Sequence, residues 1–313
     1  MLLFTMKRML SGIVLLVVVS IATFFLAHAA IADPTASLLG STASPAQQAA
    51  LAEKIGLDRP LVVQFGEWFA GLITLDFGES WRNFRSVGDQ LAVKVPVTLS
   101  VISLATLITA IVGVAFGLAA GLRPGSWIDR VTKAASVVFF ALPGFWVSLV
   151  LVLWFAVQLS WFPAVGYVPA DQSVGGWLRS ITLPAVSLAL AGVVAVAEQL
   201  RNAVLETRRQ DWVRTLRSRG LSTARVTAHV LRNSAPAALT VIALMFVGLL
   251  SGAIVVEAIF SLPGIGQLTY ASSQNGDIPM LLGITVVSIV FVVLVNFLLD
   301  LALGWINPKV RVS

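Results

Sequence analysis

The chain has 313 residues, of which 58% are hydrophobic and 12% charged, with a net charge of +6 and no cysteine. Soluble domains carry about 25% charged residues, so half that density excludes a soluble enzyme and a disordered chain, and the missing cysteines exclude a secreted disulfide scaffold. A mean hydropathy of +0.91 leaves a polytopic membrane protein, in which the basic excess reads as a cytoplasmic surplus of Lys and Arg and not as a nucleic-acid surface.

A helix needs about 20 apolar residues to cross the hydrocarbon core. Every backbone donor in lipid needs an internal partner, so long apolar stretches there are helices, and the fold class is all-α. The first stretch is Met9–Ala32. Lys7-Arg8 before it and Ala27-His28-Ala29 at its end also suit a cleavable signal peptide, but the run is longer than a signal core and reads as a retained span. Residues 33–94 then form an external helical segment. In it Ala46–Ile55 is a helix ended by Gly56, with Pro60 soon after. Val62, Phe65, Phe69 and Leu72, with Trp68 beside them, repeat at three and four residues as a second, amphipathic helix. Such a helix lies on the outer membrane surface or packs on the protein's own spans.

Val95–Leu122 is the second span, in which Gly113, Gly117 and Gly121 recur every four residues and suit close helix contact. The third is placed at 134–158, its outer end marked by Trp161, Phe162 and Pro163, and the fourth at Ser180–Ala197. A large cytoplasmic loop, 201–232, follows. Asn233–Val256 is the fifth span, with Gly248 and Gly252 as a second packing pair, within the subunit or with a partner, and Ile278–Leu299 is the sixth. Six spans place both termini on one side. That side carries 15 of the 21 Lys and Arg residues, which makes it the cytoplasm. The organisation is a first span (1–32), the external segment (33–94) and a core of five spans (95–313).

Few ionisable groups enter the apolar stretches. His28, Glu198, Glu257 and Asp300 sit near span ends, and no chain of carboxylates suits proton or sodium coupling, which counts against a secondary transporter. Glu257 and the turn Ser261–Gly266, with Pro263, Gly264 and Gly266, are candidates for an external mouth, since an acid ending an apolar helix precedes a Pro-Gly turn. A plain turn with Glu257 satisfied by a neighbour stands equally open. There is no phosphate-binding loop, no H-E-x-x-H and no cysteine, so neither catalytic residues nor a metal site is expected. If ATP drives this protein, another chain binds it.

The cytoplasmic loop sets eight arginines against Glu206 and Asp211. Charge alone describes any solvated cytoplasmic loop, but the pattern says more. Asp211 is placed to cap a short helix, Trp212, Val213 and Leu216 give it an apolar side, and Gly220 breaks it before a second amphipathic stretch, Ser222–Leu231. This is a helix–glycine–helix elbow that presses against another protein. The run Gln210-Asp211-Trp212-Val213-Arg214-Thr215-Leu216-Arg217-Ser218-Arg219-Gly220-Leu221, with His229-Val230-Leu231-Arg232-Asn233 after it, resembles the EAA loop of ABC-importer permeases in the dipeptide/oligopeptide/nickel family. Further resemblance lies in Gly56-Leu57-Asp58-Arg59-Pro60, Asp76-Phe77-Gly78-Glu79-Ser80, Leu142-Pro143-Gly144-Phe145-Trp146, Val256-Glu257 with Ser261-Leu262-Pro263-Gly264-Ile265-Gly266, and Asn307-Pro308-Lys309-Val310-Arg311. Leu216 departs from the small residue usual in the elbow helix, and the Pro-Gly usual before Asp33-Pro34 is absent.

The resemblance implies a type I ABC importer permease fold and the first, B-type, subunit of a heteromeric transporter in the bacterial inner membrane. Its partners would be a second permease subunit, two cytoplasmic ATPases holding ATP and Mg, and an external substrate-binding protein. Asp211 to Leu216, Arg217, Arg219, Gly220, Arg232 and Asn233 would couple the chain to the ATPases. Peptides are the implied cargo, with nickel chelates or glutathione as alternatives.

Overall fold

The computed structural model describes residues 2–31, 33–40 and 43–306, with side chains from Thr5 onward. The motif Asn307–Arg311, and with it Lys309 and Arg311 of the charge count, lies outside the described residues. The helices in chain order are α1 (Leu2–Ala30), α2 (Pro34–Leu39), α3 (Pro45–Ile55), α4 (Leu61–Ile73), α5 (Val87–Leu122), α6 (Trp127–Ala141) and α7 (Gly144–Leu151). Then come α8 (Val174–Arg208), α9 (Asp211–Ser218), α10 (Thr223–Ile259), α11 (Ile265–Asn275) and α12 (Ile278–Ile306). Strand geometry among the described residues is confined to one bridge between Glu79 and Ser86.

Five helices are long and apolar enough to cross a membrane, or six if one bent pair is a single span. That pair falls on the third span expected at 134–158. α6 and α7, the latter continued by a π-helix over Val152–Gln158, meet at 104°. The break is local chemistry. Leu142 sits at φ −86°, ψ 130° because the ring of Pro143 disfavours the helical region for the residue before it. The other spanning helices run past their apolar stretches; α8, for instance, covers Val174–Arg208 where an uncharged run shows only 180–197. α5 likewise starts at Val87, eight residues before the apolar stretch that begins at Val95.

The chain divides into two compact units. One holds Leu99–Ser261 with the start of α1 and the end of α12. Here α8 packs most extensively on α10, and α6 and α7 lie against α8. α5 fits α8 at its glycines: a Cβ at Gly113 would stand 2.9 Å from Val196 Cβ, one at Gly117 2.6 Å from the Ala197 carbonyl oxygen, and one at Gly121 2.8 Å from Val204. Arg8 pairs with Asp300 at 3.3 Å, which sets the first turns of α1 beside the last turns of α12.

The other unit holds Met9–Thr98 and Leu262–Val293. The amphipathic helix α4 packs on the protein itself. Its Phe65 and Trp68 stack around Phe24 of α1, with ring centroids 5.3 and 5.6 Å away, and Val62 and Ile73 stay exposed. Ser44 and Gln47 close a reciprocal capping box on α3, and Gly56 ends that helix at φ +74°. Asp33 caps α2 through the Ala36 N–H and also accepts the Thr35 hydroxyl, bonds that hold its carboxyl below the usual range. The Asp76–Ser80 motif is clamped by Asp277, which accepts the Ser80 hydroxyl at 2.5 Å and the Trp81 N–H at 3.0 Å.

Candidate functional site

The elbow is α9, one short helix held between the ends of α8 and α10. Gln210, and not Asp211, occupies the N-cap position, and its side chain accepts the Trp212 indole N–H at 2.5 Å instead of capping. Asp211 stands in the first turn, where a carboxylate favours the positive end of the helix. At the other end Gly220, at φ +77°, donates its N–H to Arg217 O, and Leu221 donates to Leu216 O. That pair of bonds is a Schellman ending, and Leu216 and Leu221 also pack on the same core.

Burial sorts the elbow residues. Val213 is 1% exposed and sits in a core cluster with Val196, Leu200 and Val204 of α8 and Val226, Val230 and Ala238 of α10. Trp212 and Leu216 are partly buried against that cluster. The apolar side that the sequence offers to a partner is therefore used largely within the chain. Arg214, Thr215, Arg217, Ser218, Arg219 and Gly220 remain exposed, a basic and polar face. Arg232 and Asn233 are turned to their own chain: Arg232 Nε donates to the Ile306 carbonyl at 3.3 Å, and Asn233 Nδ2 to that of His229 at 2.9 Å.

The helices on either side of the elbow are tied to the spans by groups the sequence does not single out. Arg201 of α8 pairs with Asp129 of α6, whose side chain is 2% exposed and whose second oxygen accepts the Gly125 N–H at 2.8 Å. Arg208 donates to the carbonyls of Gly121 and Leu122 at 3.0 and 2.6 Å, satisfying the open end of α5. The hydroxyl of Ser234 on α10 donates to that of Thr207 on α8 at 3.0 Å. These bonds join the end of α8 to α5, α6 and α10. Separations of 72 and 87 residues hide these partners from any local pattern.

The residues considered for an external mouth divide between the units. In the first, Glu257 is 1% exposed within α10. In the second, Gly264 is the N-cap of α11, Gly264 and Gly266 are buried, Pro263 is exposed, and the Ile265 N–H donates to the Thr98 hydroxyl at 2.9 Å. Gly252 lies near Leu188, whereas no neighbouring atom among the described residues comes within 4 Å of a Cβ at Gly248.

Residues 113–312 match the family described as binding-protein-dependent transport system inner membrane component, and residues 1–102 match its N-terminal domain. The sequence is 36% identical, over 98% of both chains, to a Brucella abortus protein named for a peptide transport system permease. It is 31% identical to the oligopeptide transport system permease protein AppB of Bacillus subtilis, over 98% of this chain and 99% of that one. It is also 31% identical to the dipeptide transport system permease protein DppB of Alkalihalophilus pseudofirmus, over 99% and 100%.

Proposed function

The chain belongs to the family of binding-protein-dependent transport system inner membrane components, and on that premise we propose that it is the first of two permease subunits in an ATP-driven importer of peptides. It is an inner-membrane, multi-pass permease. The observation that carries the peptide reading is correspondence over nearly the whole of both chains with permeases named for peptide, oligopeptide and dipeptide transport.

In this reading both termini and the 201–232 loop face the cytoplasm, and residues 33–86 lie outside. The Arg8–Asp300 pair supports termini on one side. Two partner ATPases bind ATP and Mg and grip the exposed face of α9, led by Arg214, Thr215, Arg217 and Arg219. Val213, Leu216 and Gly220 hold that face in register, and Arg232 and Asn233 stiffen the return into the membrane. ATP-driven closure of the ATPases pushes α9, and the buried ties at Asp129, Arg208 and Thr207 pass the motion to the spans. Such a switch works only if the partners bind its two states with different affinity. Glu257 is proposed to act at the external mouth, and an external binding protein delivers the cargo.

The test is copurification followed by reconstitution. The chain is expected to bring down a second permease and two ATPases, and the assembly to import di- or oligopeptides only with ATP and binding protein. Uptake by the isolated chain without ATP would overturn the importer reading, and uptake of nickel chelates or glutathione in place of peptides would overturn the cargo.

A further inference from the structure

A cavity of about 370 Å³ lies beside the elbow, at the inner ends of α5 and α8 and the start of α10. Three guanidinium groups line it: Arg123, Arg208 and Arg217. Among the described residues none of the three pairs with a carboxylate. Arg208 is fixed by the α5 carbonyls through one nitrogen of its fork, which leaves its other N–H donors uncommitted by those bonds on the cavity wall. The first turn of α10 adds to this charge. Ser222 makes no side-chain cap, so amide dipoles face the same space, and Thr223 and Thr227 on the wall are hydroxyl donors. Like charges gathered around a partly enclosed space repel, and a bound anion relieves them. Guanidinium forks match phosphate oxygens.

The rest of the wall is apolar. Half-buried Leu221 and Leu122, the latter the last residue of the uncharged stretch of the second span, turn apolar surface to the cavity, with the core residues Val226 and Val230 behind them. A small inorganic ion has no use for such a surface, whereas a lipid bearing a phosphate beside its glycerol and acyl carbons uses both halves. We propose that this cavity binds the phosphate headgroup of an anionic phospholipid from the inner leaflet. The inference rests on the cytoplasmic placement of the elbow proposed above. Basic pockets between membrane helices on that side suit cardiolipin-like headgroups. A lipid held there touches α5, α10 and, through Arg217, the coupling helix, so lipid composition would bias the elbow's position.

The experiment uses the purified transporter complex in nanodiscs of phosphatidylcholine, with and without phosphatidylglycerol or cardiolipin. Lipid retained after detergent extraction is read by native mass spectrometry. The wild type is expected to retain anionic lipid over phosphatidylcholine, and Arg123→Gln, on the wall but outside the α9 face assigned to the ATPases, to lose roughly fivefold of that preference. Its side chain is exposed, and an unchanged melting midpoint shows that the variant is folded. Should it melt early, Thr223→Glu, also exposed on the wall, is used, with the same loss of preference expected. Undiminished anionic-lipid retention in the folded variant overturns the proposal. Equal retention of both lipids by the wild type, with displacement by inorganic phosphate, assigns the cavity to a free anion and also overturns it. So does release of the ATPases by the variant with lipid preference intact, which makes Arg123 a protein contact. Retention is read without transport, so a failed uptake assay leaves this result standing. Failure of the cysteine labelling described below removes the placement instead.

Discussion

Gly220 and Val213 show how differently two residues of one elbow act. Gly220 has φ +77°, and among the described residues no atom beyond its chain neighbours stands within 4 Å of where its Cβ would be, so its role is backbone conformation and not space. Gly220→Val is expected to destabilise the elbow by about 1–2 kcal/mol, the difference for a left-handed L-residue, while Gly220→Asn is nearly tolerated. Limited proteolysis within 201–232, with an ATPase pull-down, reads the difference; equal behaviour of the two variants contradicts it. Gly220 was legible in sequence because a helix ending needs only local chemistry. Val213 was not, because Trp212, Val213 and Leu216 look alike on a helical wheel, and which one is buried depends on α8 and α10. Trp212→Ala and Leu216→Asp are expected to loosen the elbow's seat on its own chain, because both side chains pack on the core cluster. Arg214 with Arg217, on the exposed face, become the better substitutions for releasing the ATPases without disturbing that seat.

The buried pair Asp129–Arg201 gives a second residue-scale prediction. Asp129→Ala leaves a mostly buried guanidinium without its anion and is expected to destabilise by about 3–5 kcal/mol. The double change Asp129→Leu with Arg201→Met is expected to recover most of that, since apolar replacement of a buried pair is often neutral. Melting of the detergent-solubilised protein checks both, and a double variant as unstable as the single one contradicts the argument. For Glu257, buried in α10, Glu257→Gln is expected to slow transport while the ATPase subunits stay bound. Unchanged uptake together with unchanged ATPase stimulation by the binding protein returns it to a structural role.

At the scale of elements, the two glycine series prove unlike. Gly117→Val drives a side chain into the Ala197 carbonyl, a backbone atom that cannot step aside, so folded yield is expected to fall sharply. At Gly248 no neighbouring atom among the described residues comes within 4 Å of a Cβ, so Gly248→Leu is expected to leave the melting of the isolated subunit unchanged. If Gly248 faces the second permease, the same variant weakens their copurification. The repeat of glycine at four residues is identical in both places, and only the neighbouring helix distinguishes them. The bent pair of α6 and α7 carries the opposite lesson. Its cause, Leu142 before Pro143, is written in two adjacent residues, yet an uninterrupted apolar run reads as one span because hydropathy has no term for direction.

For the whole molecule, the topology is open to a direct test because the chain has no native cysteine. Ala49→Cys, on an exposed face of α3, is expected to react with an impermeant thiol reagent added outside intact cells, and Ser218→Cys, at the end of α9, only after the membrane is opened. The reverse pattern overturns the orientation. The sequence by itself determined the all-helical membrane class, five of the spans, the elbow with its glycine ending, and the helix over 46–55 ended by Gly56. Each follows from hydropathy or from chemistry within a few residues, and lipid permits few other solutions for an apolar run. Only the tertiary structure decided that Val213 faces inward, that Asp129, Arg208 and Thr207 tie the elbow to the spans, that Asp277 clamps the loop at Ser80, and that α4 packs on α1. Those outcomes depend on which of several equally apolar or polar faces meet, and the partners lie tens to hundreds of residues apart. An apolar stripe records that something will cover it; packing chooses what does.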